Sequence, residues 1–293
     1  MLLAVPNVSE GRDRARVKGL ADAFLGPAAV LDLHFDEVHN RTVVTLAGEP
    51  GPLADSLLAG AGTAVAQIDM RGHDGAHPCV GALDVCPVVY ATESECDAAH
   101  GAAHALAERI AGELGVPVFL YGDLASSEDR RERAFFRDGG LERLRARMES
   151  GELEPDHGPP VPHPTAGASL VTARPPLAAF NVFLDAPDAK LARVVAAGIR
   201  ESGGGLPGVR AIGLPFEGVT QVSTNIHDPA RVTLGEVVSE VRRLAEPLGA
   251  TATSAEIVGL VPESALRDFP GDVALVDPDV DAHVLERRLA ATN

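Results

Sequence analysis

Ten histidines occur in this 293-residue chain, and four of them, His34, His39, His73 and His77, fall near the ends of apolar, strand-like runs in its first third. An imidazole with an ordinary pKa near ~6.5 moves protons at neutral pH, so such a group points first to acid–base chemistry. His77 is the most constrained of the four. It lies in Gly75-Ala76-His77-Pro78, directly before an apolar run, where a stiff backbone holds a side chain within reach of a ligand. The same position also suits a surface histidine that caps the entry to a strand. His73 and His77 have the i, i+4 spacing of a helical metal pair, but Gly72, Gly75 and Pro78 oppose a helix there. No Glu follows His73 in the zincin pattern, and Cys79, Cys86 and Cys96 form no CxxC pair. No metal is expected.

Other polar residues fall where they can join such a histidine. Asn7, Ser9 and Glu10 end the first apolar run, and Asp36, Asn40 and Arg41 occupy a polar turn between two β-branched runs. Arg41 can grip a carboxylate through its bidentate fork, or pair locally with Asp36 or Glu37. Asp36 can accept the second ring N–H of His77, or stabilise its own turn. Gln221-Val222-Ser223-Thr224-Asn225 puts polar side chains on both faces of a strand, where one apolar face is the rule. That pattern means a wet cleft or a solvated edge. Gly203-Gly204-Gly205 lacks a GxGxxG or GKS/T setting and reads as a flexible turn.

The elements that must position these residues follow from hydrophobic spacing. Leu2 to Val8 reads as a strand, Arg12 to Phe24 as a helix, Ala28 to His34 and Thr42 to Gly48 as strands, a helix carries Leu53 to Ile68, and Cys79 to Tyr90 returns as a strand. The order is βαββαβ. It recurs downstream as strand 177–184, helix 188–201, strands 209–214 and 219–226, helix 231–248 and strand 253–260. Punctuation recurs too: Gly48-Glu49-Pro50 and His227-Asp228-Pro229 each precede the second helix. The expected fold class is α+β, with two ferredoxin-like βαββαβ subdomains from an internal duplication, at residues 1–170 and 171–293. The first bears an extension. Thr92 to Glu95 has the form of a capping box, a helix and the strand 116–121 follow, and Arg130 to Glu149 reads as a charged helix with a solvated face. The Pro- and Gly-dense linker 155–164 is too stiff for a tether and should lie against the structure.

Composition narrows the partners. Asp and Glu number 42 against 25 Lys and Arg, a formal charge of −17, which disfavours nucleic acid and anionic membranes. An anionic small molecule stays possible, because screening confines fields to about 8 Å and a few local arginines can dominate. The N-terminal run has no basic region, and no segment reaches the ~20 apolar residues of a membrane span. Three unpaired cysteines suit a reducing compartment. A soluble, cytoplasmic protein is expected.

Several segments in order carry a likeness. Val5-Pro6-Asn7-Val8-Ser9-Glu10-Gly11, Asn40-Arg41-Thr42, Gly75-Ala76-His77-Pro78 with Gly81-Ala82-Leu83-Asp84-Val85-Cys86-Pro87, and Gln221-Val222-Ser223-Thr224-Asn225 resemble the formiminotransferase domain of glutamate formimidoyltransferases. The same domain opens the bifunctional formiminotransferase-cyclodeaminase; no cyclodeaminase part is expected here. The resemblance spans about residues 4 to 266. It implies transfer of the formimino group of N-formimino-L-glutamate to N5 of tetrahydrofolate, in histidine degradation and one-carbon metabolism. Folate would lie in a groove between two ferredoxin-like subdomains, in a homodimer. His77 matches the catalytic histidine, with Asp36 as its expected partner. Asn7, Ser9, Glu10, Asn40, Arg41, Gln221 and Asn225 are the expected substrate and folate contacts, with Gly158, Pro162, Thr165 and Gly167 from the folate-contacting segment. Two departures stand out: that segment lacks the aromatic residue of the animal pattern before its final glycine, and Asp36 lies two positions after the animal aspartate. Formyl transfer between 5-formyltetrahydrofolate and glutamate, metal-dependent amidohydrolysis and a non-catalytic folate module are the alternatives.

Overall fold

The computed structural model describes residues 1–216 and 218–291, and the chain divides into two compact units, Met1–Pro175 and Pro176–Asn293. Both are mixed α+β. In the first, the apolar run at the N-terminus becomes two collinear strands, β1 (Leu2–Ala4) and β2 (Asn7–Val8), each pairing with the same two neighbours. Pro6 causes the break, having no N–H to give the ladder; the gap is spanned by Val5 N–H to the Pro87 carbonyl (3.1 Å) and Val44 N–H to the Pro6 carbonyl (3.0 Å).

Helix α1 (Arg14–Phe24) follows, capped by the Asp13 carboxylate on the N–H groups of Ala15 and Arg16. Strands β3 (Ala29–Asp36) and β4 (Arg41–Gly48) form a hairpin, helix α2 (Pro50–Gln67) begins on a proline, and β5 (Leu83–Val89) returns to the sheet. The extension adds α3 (Cys96–Leu114), β6 (Val118–Leu120), α4 (Arg133–Arg137), α5 (Gly140–Glu149) and β7 (Ser169–Arg174). The sheet runs β3, β4, the β1/β2 line, β5, β7, β6, with β5, β7 and β6 parallel. The expected capping box is present before α3, where the Glu95 carboxylate accepts the Thr92 N–H at 3.1 Å.

One face of this sheet carries α1, α2 and α3. Leu20, Phe24, Leu53, Leu57, Leu106 and Ile110 meet Val8, Val44, Leu46 and Val88 there, each such side chain stabilising by about 1.5–3 kcal/mol when fully buried. Gly60 lets α2 close on α1, since a Cβ there would lie 2.2 Å from the Phe24 ring. On the other face α4 and α5 cover β5, β6 and β7 through Phe119, Phe136, Leu144, Met148 and Leu170. The charged stretch 130–149 is therefore not one solvated helix. Gly139 and Gly140, with φ of 72° and 71°, end one helix and start another, and Phe136, Leu144 and Met148 are buried. The linker does lie against the structure: Val118 N–H donates to the His157 carbonyl and Asp156 N–H to the Val118 carbonyl, both at 2.9 Å.

The second unit comprises β8 (Ala178–Leu184), α6 (Ala189–Ile199), β9 (Val209–Phe216), β10 (Val219–Ile226), α7 (Leu234–Ala245), β11 (Ala252–Val258), β12 (Ala274–Leu275) and α8 (Leu285–Ala290). Its sheet order is β12, β11, β8, β10, β9. Helices α6 and α7 pack Val195, Ile199, Val237 and Val241 against Phe180, Val182, Val222 and Ile226. Among the described residues no helix is long and apolar enough to cross a membrane.

Candidate active site

Two connections at one end of the first sheet build the site. One is the β3–β4 turn, whose flanking residues Asp36 and Arg41 pair directly across the ladder. The other is the loop from α2 to β5, which carries His73 and His77. They are fastened together. Ala76 N–H donates to the Val38 carbonyl at 3.1 Å. Asn40, in the left-handed region at φ 50° that its short amide tolerates, donates from Nδ2 to the Asp74 carbonyl (3.0 Å) and accepts the Gly11 N–H (2.9 Å). Gly75 is required for this approach, because a Cβ there would stand 2.4 Å from the His39 carbonyl oxygen.

Ser9, His39, Asn40, Arg41, His73, His77, Cys79 and Asp84 line a narrow recess. Inside it the Arg41 Nη1 lies against one edge of the His77 ring, 2.8 Å from Nδ1 and 3.1 Å from Nε2. The Pro78 carbonyl is 2.9 Å from Nδ1. Both ring nitrogens thus face the Arg41 donor, and Nδ1 faces the Pro78 acceptor as well. The other arm of Arg41 donates to Asn7 Oδ1, while Asn7 Nδ2 donates to the Val5 carbonyl at 2.8 Å. Asn7 thus aims Arg41, and Arg41 lies on His77.

The charges around His77 are mostly positive. Burial, then Arg41, Arg137 and His39, hold its pKa well below the ordinary 6.5. The imidazole is neutral at physiological pH, with a lone pair to accept a proton. Burial lowers Arg41 to about 10, against the opposing pull of Asp84. Burial and Asp84 raise the Cys79 thiol to about 11, so it is a neutral wall of the recess and not a nucleophile. Among the described residues no group of three or more His, Cys, Asp or Glu converges in a way that could hold a metal ion.

The other expected residues fall in several places. Asp36 engages His39 and not His77: one carboxylate oxygen accepts the His39 backbone N–H at 2.7 Å and the other lies 3.0 Å from its Nδ1. Asn40 lines the recess, as does Ser9, whose hydroxyl is spent on the Gly81 carbonyl at 2.7 Å. Glu10 turns to the start of α1, accepting from Arg12 and Asp13 N–H and pairing with Arg16. Gly158, at φ 92°, packs by Val116 and Pro117. Pro162, Thr165 and Gly167 do not line the recess, but Gly167 bridges to Gly81 and the Thr165 carbonyl accepts the Met70 N–H at 2.7 Å. That end of the segment braces the His77 loop from both sides. Gln221 and Asn225 belong to β10 in the second unit, where Gln221 is fully buried and neither of its amide atoms has a hydrogen-bond partner.

Two residues of the site escape a sequence reading. Arg137, on a helix expected to face solvent, reaches Asp84 in an ion pair with side-chain exposures of 9% and 2%. The other Asp84 oxygen accepts the Val80 N–H at 2.9 Å. The available signal was Asp84 itself, a carboxylate in the run Leu83-Asp84-Val85-Cys86 that is too apolar to leave it unpaired.

Fold and site together define an α+β protein that keeps a neutral imidazole among guanidinium groups at one end of a sheet. Comparison with known proteins narrows this class. Residues 1–174 match the family model of the formiminotransferase domain, N-terminal subdomain, and residues 179–270 that of the formiminotransferase domain. The chain is 34% identical over 291 residues to a glutamate formimidoyltransferase of Thermoplasma acidophilum, covering 97% of this chain and 96% of that protein. It is 36% identical over 291 residues to a glutamate formimidoyltransferase of Streptococcus pyogenes, covering 97% of each. A formimidoyltransferase-cyclodeaminase of Gallus gallus is 38% identical over 274 residues, which is 90% of this chain and 50% of that one. The chain belongs to the formiminotransferase domain family.

Proposed function

We propose that the protein is a glutamate formimidoyltransferase, which passes the formimino group of N-formimino-L-glutamate to N5 of tetrahydrofolate and releases L-glutamate. The observation that carries this reading is His77, neutral and pinned between Arg41 and the Pro78 carbonyl, in a chain matched along nearly its whole length by proteins of that name.

The chemistry asks for two proton movements. N5 attacks the formimino carbon and forms a tetrahedral intermediate. His77 takes the N5 proton, and a proton returned to the glutamate nitrogen lets the carbon–nitrogen bond break. Such acid–base help contributes about 10² to 10⁴ of the rate, and holding both substrates together supplies much of the rest. The donor is a dicarboxylate. Its charge beside Arg41 and Arg137 offsets the two guanidiniums that weaken His77 as a base, so the base strengthens as the donor arrives. The recess presents His77 and Arg41 to the reacting centre, and the folate lies outside it. Asn7, Asn40 and Arg41 bind there, Ser9 and Glu10 hold the backbone that presents them, and Gln221 and Asn225 are folate contacts of the second unit. Gly158, Pro162, Thr165 and Gly167 act through the segment that braces the loop.

Tetrahydrofolate is the co-substrate in this reading, without a metal, in a cytoplasmic homodimer. The common strand order of the two units, β5, β1/β2, β4, β3 and β11, β8, β10, β9, supports a duplicated ferredoxin-like plan, with N- and C-terminal formiminotransferase subdomains. The test is a coupled assay of N-formiminoglutamate with tetrahydrofolate on wild type and His77→Ala, run beside 5-formyltetrahydrofolate with glutamate. Turnover of the first pair only, lost in the variant, supports the proposal. Turnover of only the second pair refutes the donor.

A further inference from the structure

The carboxylate expected to serve His77 does not touch it. Asp36 does not line the recess and spends both oxygens on His39, so whatever Asp36 does for His77 passes through that residue. We propose that His39, held by Asp36, is a positioning residue for His77, its ring setting the plane in which His77 meets the substrate. This inference rests on the reading of His77 as the acid–base group.

Four observations carry it. The two side chains are nearly withdrawn from water, with exposures of 9% for His39 and 12% for Asp36. Asp36 can only accept, so the His39 Nδ1 carries a proton toward the carboxylate, which determines the rotation of the ring. The His39 and His77 rings meet edge to face, centroids 6.0 Å apart and planes at 89°, a geometry that aromatic rings prefer. The backbone at His39 cannot drift from the His77 loop, because Gly75 closes on the His39 carbonyl and Ala76 N–H is bonded to Val38.

A local turn device would need less. An aspartate bonded to the backbone N–H three residues on stabilises a turn by itself, and one oxygen is enough. The second oxygen, on the ring, serves the side chain alone. The remaining groups facing His77 are Arg41 from β4, Arg137 from α4, and His73, Cys79 and Asp84 from the loop and β5. Arg41 holds one edge of the His77 ring; His39 supplies the constraint out of that plane.

The experiment compares Asp36→Asn and His39→Gln with wild type in kcat, KM for both substrates, thermal midpoint, and the pH profile of kcat/KM. Asn at 36 still accepts the backbone N–H and so keeps the turn, while losing the charge that holds the ring. The expected result is a wild-type midpoint for Asp36→Asn with kcat lowered about tenfold or more at nearly unchanged KM. In His39→Gln the acid limb of the profile should move to higher pH, because His39 is among the charges that oppose protonation of His77. If His39→Gln does not fold, Asp36→Asn decides alone. Wild-type kcat in Asp36→Asn, or a change confined to KM or to stability, overturns the proposal. Loss of turnover in His77→Ala with unaffected Asp36→Asn refutes only this inference, whereas full turnover in His77→Ala removes the reading beneath it.

Discussion

The two units share an order of strands and helices yet differ in their connections. In the first, the path from the second helix to the last strand of the plan runs from Ile68 to Ala82; in the second, it runs only from Glu246 to Thr251. The longer path holds His73, His77 and Cys79. The hairpins differ likewise: four residues lie between the paired Asp36 and Arg41, and two between the paired Phe216 and Val219. The sheets supply rigid ends and the loops carry the candidate site, which is the usual division between scaffold and site. Among the described residues the second unit has no equivalent loop. Its unusual feature is a strand interior, where Gln221 is buried with its amide unpaired.

The comparison can be broken in four ways. The largest expected effect is on turnover: His77→Ala should lose about 10² to 10⁴ in kcat while its unfolding midpoint stays near wild type, in the coupled assay with N-formiminoglutamate and tetrahydrofolate. A variant that kept its rate would make the long loop a mere connection. Next is the ion pair that ties α4 to the site. Arg137→Met leaves the buried Asp84 carboxylate without its ion-pair partner, which should cost about 3–5 kcal/mol in urea unfolding. A loss under 1 kcal/mol would return α4 to the role of a surface helix.

The third expected effect is a pH dependence. The folded His77 pKa lies well below its ordinary 6.5, so below about pH 6.5 the unfolded chain takes up a proton that the native site refuses. The stability associated with neutral His77 is present above that pH and is lost as pH falls, by up to about 1.4 kcal/mol per pH unit until the native group also protonates. His77→Gln should flatten this part of the stability curve between pH 5 and 7. An unchanged slope would mean that another group sets the acid limit. The smallest effect falls in the second unit. Gln221→Met removes an unpaired buried amide and should raise stability by on the order of 1 kcal/mol while raising the KM for tetrahydrofolate. A destabilised variant with unchanged KM would show that Gln221 is structural.

Much of the fold follows from local pattern. Val219–Ile226 is the strand that its β-branched residues announce, and the capping box at Thr92 and Glu95 forms as its spacing requires, because both depend on neighbours within a few residues. The breaks are where local pattern misleads. Arg130 to Glu149 alternates charge like a surface helix, yet Gly139 and Gly140 adopt left-handed backbone and Phe136 turns inward. Strand β7 drew no notice because its place, between β5 and β6 in parallel pairing, is set by partners far along the chain.

The site divides along the same line. The stiff setting of His77 between Gly75 and Pro78, the polar turn with Asp36, Asn40 and Arg41, and the polar strand at Gln221 are properties of short segments, and the amino-acid sequence determined them alone. Which of these groups touch was decided by tertiary structure. Asp36 met His39 instead of His77, Arg41 lay across the imidazole, and Arg137 arrived from a helix more than fifty residues after Asp84. The reason is physical: backbone preference and hydrophobic period act over a few residues, whereas a hydrogen bond or ion pair depends on distances of about 3 Å between segments that only the packed sheets bring together.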